Sequence, residues 1–142
     1  SENGVFNELN IPHEKYNQFI SNLRGLYALN EDALNFFNFA RFAKLDLYML
    51  SNSTYDLVEG QYEKFRLDNY FQKAFFSHKL GMAKPDKKIF DHVLKSMDLY
   101  PVDVLFIDDK IRNINAADEL GFKTQLFKNS EDYKNLKKLI TS

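Results

Sequence analysis

The sequence contains no cysteine and no tryptophan, and its 142 residues include only three prolines and five glycines. The lack of cysteine excludes disulfide bonds and thiolate metal sites. It is also compatible with the reducing cytoplasm, where we expect the protein to reside. Because tryptophan is absent, the 14 phenylalanines and 8 tyrosines must supply much of the aromatic core.

An excess of one charge and a long apolar run are also missing. The 19 basic and 20 acidic residues give a net charge of -1, so the composition predicts no electrostatic attraction to nucleic acid or to a membrane surface. No apolar run approaches the roughly 18 residues of a membrane span, and the first residues do not follow a signal-peptide pattern. With 44% apolar residues, the chain can form the core of one globular domain.

Segments with strand and helix patterns alternate along most of the chain. Short apolar runs predict strands at 45–50, 74–77, 104–107 and 123–127. Helical spacing predicts helices after Asn30, at 55–65, from Pro85, through Ile114 to Gly121, and at 131–140. Residues 1–25 are polar with scattered apolar positions, which suits short surface helices. The alternation predicts an α/β fold in which helices cover both faces of a parallel sheet.

Paired carboxylates follow one of these strands. Asp108 and Asp109 come directly after the buried run 104–107. Adjacent carboxylates repel each other and are costly to desolvate, and a Mg²⁺ ion would relieve both problems. Alternatively, one aspartate caps the following helix and the other is solvated. The pair is therefore a candidate metal site.

Two further segments place phosphate-binding groups after predicted strands. Lys84 precedes Pro85, which favours extended backbone, and its ammonium could neutralise a phosphoryl group and a nearby aspartate. Ser51 and Asn52 offer a hydroxyl and backbone N–H groups at a strand-to-helix turn, a geometry that holds phosphate oxygens. Taken singly, these residues also fit an ordinary surface lysine and an ordinary helix cap. In open α/β sheets, ligands bind at the carboxyl ends of the strands, where all three segments are expected.

In this order the three segments resemble the haloacid-dehalogenase-like hydrolase superfamily, and in particular its phosphatase branch with a helical cap. Ser51 matches the second family motif, which binds the phosphoryl group, and Lys84 matches the third, which steadies the nucleophile and the phosphate. Asp108 and Asp109 match the fourth, which binds Mg²⁺. The resemblance covers roughly residues 25–130. It implies a three-layer Rossmann-like core and a Mg²⁺-dependent hydrolase acting on a small phosphorylated metabolite.

The first family motif, Asp-x-Asp-x-Thr, has no match in this sequence. In the family, its first aspartate forms an aspartyl-phosphate and its second is the general acid and base. We therefore expect residues 1–29 to be a remnant of the helical cap and residues 30–142 to be an incomplete core without its first strand. That strand lies in the middle of the family's sheet. The sheet would compensate by dimerising, by exchanging strands, or by pairing the second- and fourth-motif strands directly.

Two functional hypotheses follow from this pattern. In the first, the chain is the C-terminal part of a phosphatase and is inactive alone, because the nucleophile is absent from it. Ser51, the Asn52 backbone and Lys84 would then hold the phosphoryl group, while Asp108 would bind the metal and Asp109 would support either that metal shell or the nucleophile. In the second, the chain is a non-catalytic module that binds a phosphorylated ligand or a protein partner.

Overall fold

The computed structural model describes residues 18–21, 31–52, 60–64, 66–129 and 131–141. Its strands are β1 (Gln18–Ser21), β2 (Asp46–Ser51), β3 (Phe71–Phe76), β4 (Val104–Asp108) and β5 (Lys123–Leu126). Its helices are α1 (Glu31–Phe42), α2 (Gly60–Lys64), α3 (Ser77–Leu80), α4 (Lys87–Met97), α5 (Ile111–Glu119) and α6 (Glu131–Thr141), with 3₁₀ turns at Leu67–Asn69 and Pro101–Asp103. The predicted alternation of strands and helices is confirmed.

The five strands form one parallel sheet in the order β3-β2-β1-β4-β5. Both neighbours of β1 carry consecutive apolar residues. Because successive side chains of a strand point in opposite directions, these residues cover both faces of the sheet. In β4, Leu105 and Ile107 join one buried cluster, while Val104 and Phe106 join the other. A strand buried on both faces reads as a continuous apolar run, which is why the sequence revealed β4 so clearly.

Helices cover both faces of the sheet, as the three-layer prediction requires. Helix α1 packs on one face through Phe36, Phe37 and Ala40, beside Leu136 of α6. On the other face the residues Ile89, Phe90, Val93, Leu94, Ile114 and Ala117 of α4 and α5 are buried. Their spacing of three or four residues forms the apolar stripe of an amphipathic helix.

Helix α4 begins slightly later than predicted. The side chain of Asp86 accepts a hydrogen bond from the Lys88 backbone N–H at 3.0 Å and is the N-cap of the helix. The first helical residue is therefore Lys87, not Pro85. An aspartate at this position satisfies one of the free N–H groups of the first turn.

The centre of the sheet differs from the sequence-based expectation. Strand β1 lies between β2 and β4, and it pairs in parallel with Asp46 to Met49 on one side and with Val104 to Ile107 on the other. The prediction of direct pairing between β2 and β4 is therefore wrong, as is the expectation of a surface helix at 18–21. Two inner strands cannot leave their facing N–H and C=O groups unpaired, so a nearby segment fills the position. The rest of the predicted remnant lies outside the described residues.

Across the part of the chain that the structure describes, no helix has the length and apolar character to cross a membrane.

Candidate functional site

The candidate residues meet at one edge of the sheet. Ser51 is the last residue of β2, and Asp108 is the last residue of β4. Lys84 lies in the loop that connects α3 to α4, and all three side chains are buried. Because the strands are parallel, their carboxyl ends lie on the same side, where this fold class binds ligands.

Lys84 and Asp108 form a buried ion pair. The Lys84 Nζ lies 3.0 Å from Asp108 Oδ2, and neither side chain has any exposed surface. The same ammonium donates to the backbone carbonyl of Leu50 at 2.9 Å. Burying two charges is costly unless they are paired and hydrogen-bonded, and both conditions are met here. The alternative interpretation of Lys84 as a solvated surface lysine is therefore wrong.

Asn52 fixes the loop that carries Lys84. Its side-chain Nδ2 donates to the Lys84 carbonyl at 2.9 Å, and its Oδ1 accepts from the Lys84 N–H at 3.1 Å. A cis peptide bond joins Lys84 to Pro85. Sequence reasoning considered only the Asn52 backbone, as a phosphate-binding group, and that role stays a prediction. The role of the side chain was missed because it depends on a partner that is distant in the sequence.

Two further groups hold Asp108; Asn113 belongs to the same sequence motif as Asp108, but no site role was predicted for either group. The Lys110 N–H donates to Asp108 Oδ1 at 2.8 Å, and the Asn113 Nδ2 donates to Asp108 Oδ2 at 3.2 Å. Asn113 is buried in the first turn of α5. A polar residue in the first turn after a strand-end aspartate was the available signal for it. Together with Lys84, these donors hold the carboxylate in one orientation.

The carboxylate of Asp109 is less well hydrogen-bonded than that of Asp108. Its Oδ1 is buried and has no hydrogen-bond partner, and the same is true of Asn113 Oδ1. The pKa of the Asp109 carboxyl is raised, first because burial disfavours its charged form and second because the negative charge of Asp108 lies nearby. A cation beside the two aspartates would relieve both effects.

The residues present fit a hard divalent cation that needs few protein ligands. Within the described residues, no group of three or more His, Cys, Asp or Glu side chains is placed to hold a metal ion. Mg²⁺ needs only one or two protein carboxylates, because waters and phosphate oxygens complete its six ligands. Asp108 and Asp109 would provide these carboxylates, and Asp109 Oδ1 is buried without a hydrogen-bond partner.

Asp109→Asn is expected to stabilise the fold at neutral pH in a chelator-containing buffer. A folded-state pKa above the ordinary 3.8 means that the folded protein holds the proton more tightly than the unfolded chain does. Ionised Asp109 therefore destabilises the native state above its folded pKa, and this cost disappears as the pH falls below the ordinary value. Urea unfolding of both proteins across this range should show a difference that shrinks toward acid pH.

The matched control for this experiment is Asp98→Asn. Asp98 is an exposed C-cap with a φ of 54°, a left-handed conformation that asparagine also tolerates. This substitution removes one negative charge from an exposed residue that is not among the site residues. If Asp109→Asn and this control change the free energy of unfolding equally at every pH, ionised Asp109 does not destabilise the native state.

The fold and the site together define a class of protein. A doubly wound parallel sheet that gathers a hydroxyl, a lysine and paired aspartates at its carboxyl edge is typical of hydrolases that act on phosphate esters. Residues 7–127 match the family model for haloacid dehalogenase-like hydrolases. The match covers well over half of the chain, so the chain belongs to this family.

Known proteins with similar sequences include phosphatases. The chain is 30% identical to a D-ribitol-5-phosphate phosphatase of Bacteroides thetaiotaomicron, in an alignment that covers 94% of this chain and 76% of the relative. It is 35% identical to a sesquiterpene phosphatase of Aspergillus oryzae over 53% of this chain and 38% of that protein.

Solved structures agree on the fold. An enzyme of the same family from Bacteroides thetaiotaomicron, crystallised with magnesium and inorganic phosphate, superposes with a TM-score of 0.69 at 31% identity. That comparison covers 76% of this chain and 57% of the other. An uncharacterised protein of Corynebacterium glutamicum superposes with a TM-score of 0.71 at 20% identity, which supports the fold alone.

Proposed function

We propose that this chain is the phosphate- and magnesium-binding part of a haloacid-dehalogenase-like phosphatase that acts on a small phosphorylated metabolite in the cytoplasm. The observation that carries the proposal is the buried pair of Lys84 and Asp108, next in sequence to Asp109, whose Oδ1 is buried without a hydrogen-bond partner. The similarity to a D-ribitol-5-phosphate phosphatase, to a sesquiterpene phosphatase and to a family enzyme crystallised with magnesium and inorganic phosphate supports the same assignment.

Each group has a distinct role in this proposal. Asp108 binds Mg²⁺ and Asp109 supports it, while Lys84 and the end of β2 at Ser51 and Asn52 hold the phosphoryl oxygens. Magnesium, when bound, would neutralise part of the charge on the phosphoryl group. Because the Lys84 side chain is fully enclosed, phosphate can contact its ammonium only after the site opens.

The nucleophile comes from outside these 142 residues in this proposal. An aspartyl-phosphate requires a carboxylate at the end of the central strand, and residues 22–30 that follow β1 contain neither aspartate nor glutamate. The chain would then be the C-terminal part of the enzyme. The alternative is a non-catalytic module that binds a phosphorylated ligand or a protein partner, and the lack of aspartate and glutamate in residues 22–30 is compatible with it.

The purified chain is expected to bind magnesium and phosphate without turning over an aryl phosphate. Thermal unfolding should show that Mg²⁺ and phosphate together raise the melting temperature by several degrees, since a ligand that binds only the folded state stabilises it. The shift should vanish in Asp108→Asn and persist in the exposed Asp98→Asn control. Each variant is compared with itself with and without ligands, so any destabilisation by the substitution cancels.

Two results would contradict the proposal in different ways. Turnover that disappears in Asp108→Asn would show that the chain carries its own nucleophile. A melting temperature that does not respond to magnesium and phosphate would remove the proposed site altogether. Binding without turnover is the expected result for the isolated chain.

A further inference from the structure

An open cleft lies along the edge strand β3. Its volume is about 620 Å³, which is within the range of clefts that bind small molecules. Its lining residues come from α2, from the turn that follows it, from β3 and from α3. Ser51, Lys84 and Asp108 do not line this cleft, which we call the β3 cleft, so it is separate from the candidate site.

The lining of the β3 cleft is charged and carries more positive than negative groups. Lys73, Lys79 and Arg66 contribute three cations, and Glu63 and Asp68 contribute two carboxylates. Arg66 and Asp68 bind each other through two contacts of 3.1 Å. Both side chains are more than half exposed, so this pair can rearrange at little cost. The excess of positive charge favours an anionic ligand.

Aromatic rings form the apolar part of the lining. Tyr62 and Phe76 meet edge-on with their ring centroids 6.1 Å apart, and both rings line the cleft. Tyr62 is only partly buried, so part of its ring can contact a ligand. The pKa of its hydroxyl is raised, first because burial disfavours the charged form and second because the negative charge of Asp68 lies nearby. The hydroxyl therefore stays neutral at pH 7 and can donate or accept a hydrogen bond.

A cation borders this aromatic surface at the carboxyl end of β3. The Lys79 Nζ lies 5.7 Å from the centroid of the Phe76 ring. Lys73 comes three residues before Phe76 on the same strand, which corresponds to about 10 Å of strand length. A ligand that packs on the Phe76 ring would therefore meet the Lys79 ammonium first.

The two carboxylates narrow the choice of ligand. Glu63 and Asp68 would repel a ligand that carries only negative groups, so the ligand needs hydroxyl or amino groups that donate hydrogen bonds to them. The lysines need an anion, and phosphate is one that lysine binds well. The aromatic surface needs a flat ring, on which Arg66 can also stack through its planar guanidinium. A nucleoside monophosphate carries all three kinds of group.

We propose that the β3 cleft is a binding site for a nucleoside monophosphate. Lys79 holds the phosphate, and the base packs against Tyr62 and Phe76. Glu63 and Asp68 accept hydrogen bonds from the ribose hydroxyls. This inference goes beyond the proposed function, since the β3 cleft shares no residue with the groups assigned to magnesium and phosphoryl binding. The two sites can therefore be tested one at a time.

Calorimetric titration of the full chain with AMP, GMP, CMP and UMP tests the site. The buffer contains a chelator, so that magnesium cannot support binding at Asp108 and Asp109. At least one nucleotide should bind saturably and about tenfold more tightly than ribose 5-phosphate, because one stacked base supplies that factor. Pyrophosphate carries more charge but neither base nor sugar, and it should also bind more weakly than that nucleotide.

A lysine variant locates the bound nucleotide. Lys79→Met should weaken binding about tenfold, because it removes a charge-assisted contact with the phosphate. Lys79 is exposed, so the variant should keep the fold, which far-UV circular dichroism checks. The matched control is Lys88→Met, which changes an exposed lysine of α4 that does not line the cleft and should leave binding unchanged.

The outcomes separate this inference from the proposed function. A lack of saturable nucleotide binding, or equal binding by the parent and Lys79→Met, overturns the inference. Binding of pyrophosphate or ribose 5-phosphate as tight as that of the nucleotides also overturns it, because the base is then not recognised. Asp108→Asn should lose the melting-temperature shift produced by magnesium and phosphate but keep nucleotide binding. Nucleotide binding that disappears in Asp108→Asn and persists in Lys79→Met would place the nucleotide in the magnesium site, which contradicts this inference and leaves the proposed function standing.

Discussion

Replacement of Lys84 by methionine is expected to lower the free energy of unfolding by about 3–5 kcal/mol, the usual cost of removing one partner from a buried ion pair. Methionine keeps the length of the side chain, but it leaves the Asp108 carboxylate buried without its counter-charge and the Leu50 carbonyl without its donor. Chemical unfolding followed by far-UV circular dichroism measures the loss.

Two further variants identify the cause of that loss. Lys88→Met changes an exposed lysine in the same region and should alter stability by no more than about 0.5 kcal/mol. The double variant Lys84→Met/Asp108→Asn removes both charges, so it should be more stable than the sum of the two single losses indicates. A Lys84→Met loss as small as that of Lys88→Met would show that the pair does not hold the site together.

Phe106→Ala is expected to destabilise the protein by a similar amount, about 3–5 kcal/mol. Phe106 is fully buried in β4 and packs edge-on against Phe90 of α4, with ring centroids 5.2 Å apart, and against Phe122 at 6.2 Å. The third side of this triangle, Phe90 to Phe122, measures 5.7 Å. Alanine would leave a cavity between the sheet and its helices, which close packing cannot easily refill.

The effect should extend to the site because Asp108 lies two residues farther along the same strand. We expect Phe106→Ala to reduce the melting-temperature shift produced by magnesium and phosphate, while Phe106→Leu retains most of it. Comparing the two variants by thermal unfolding shows whether an apolar side chain that partly fills the space at position 106 is enough to keep Asp108 in place. Equal stability of Phe106→Ala and the parent would contradict the packing role of the aromatic triangle.

Sequence reasoning predicted the parts of the fold that depend on local pattern. Strand β4 and helix α4 could be predicted from the apolar run and the apolar stripe in their own sequences, without reference to the elements they pack against. The edge strand β3 was predicted too short, at 74–77, because its first part carries the exposed Gln72 and Lys73. Edge strands often carry such residues, which weakens the apolar signal on which the prediction depends.

The centre of the sheet could not be predicted in this way. A four-residue strand is too short to show a period of two, and the helical spacing around Phe19 and Ile20 points elsewhere. Its position is set by the unpaired groups of β2 and β4, which are remote in sequence. By contrast, the meeting of Lys84 with Asp108 was predictable, since the family motifs place both at the same strand edge. The unpartnered oxygen of Asp109 was not, because it depends on atomic packing.

The reciprocal pair between the Asn52 side chain and the Lys84 backbone makes the peptide group of Lys84 a built-in reporter. Its N–H is bonded to a side chain, not to a helix or a sheet, so its hydrogen exchanges with solvent only after that contact breaks. The exchange rate at this one amide thus measures the free energy needed to separate the loop that carries Lys84 from the end of β2. Ligands that require an opened site should speed this exchange, and ligands that bind the closed site should slow it.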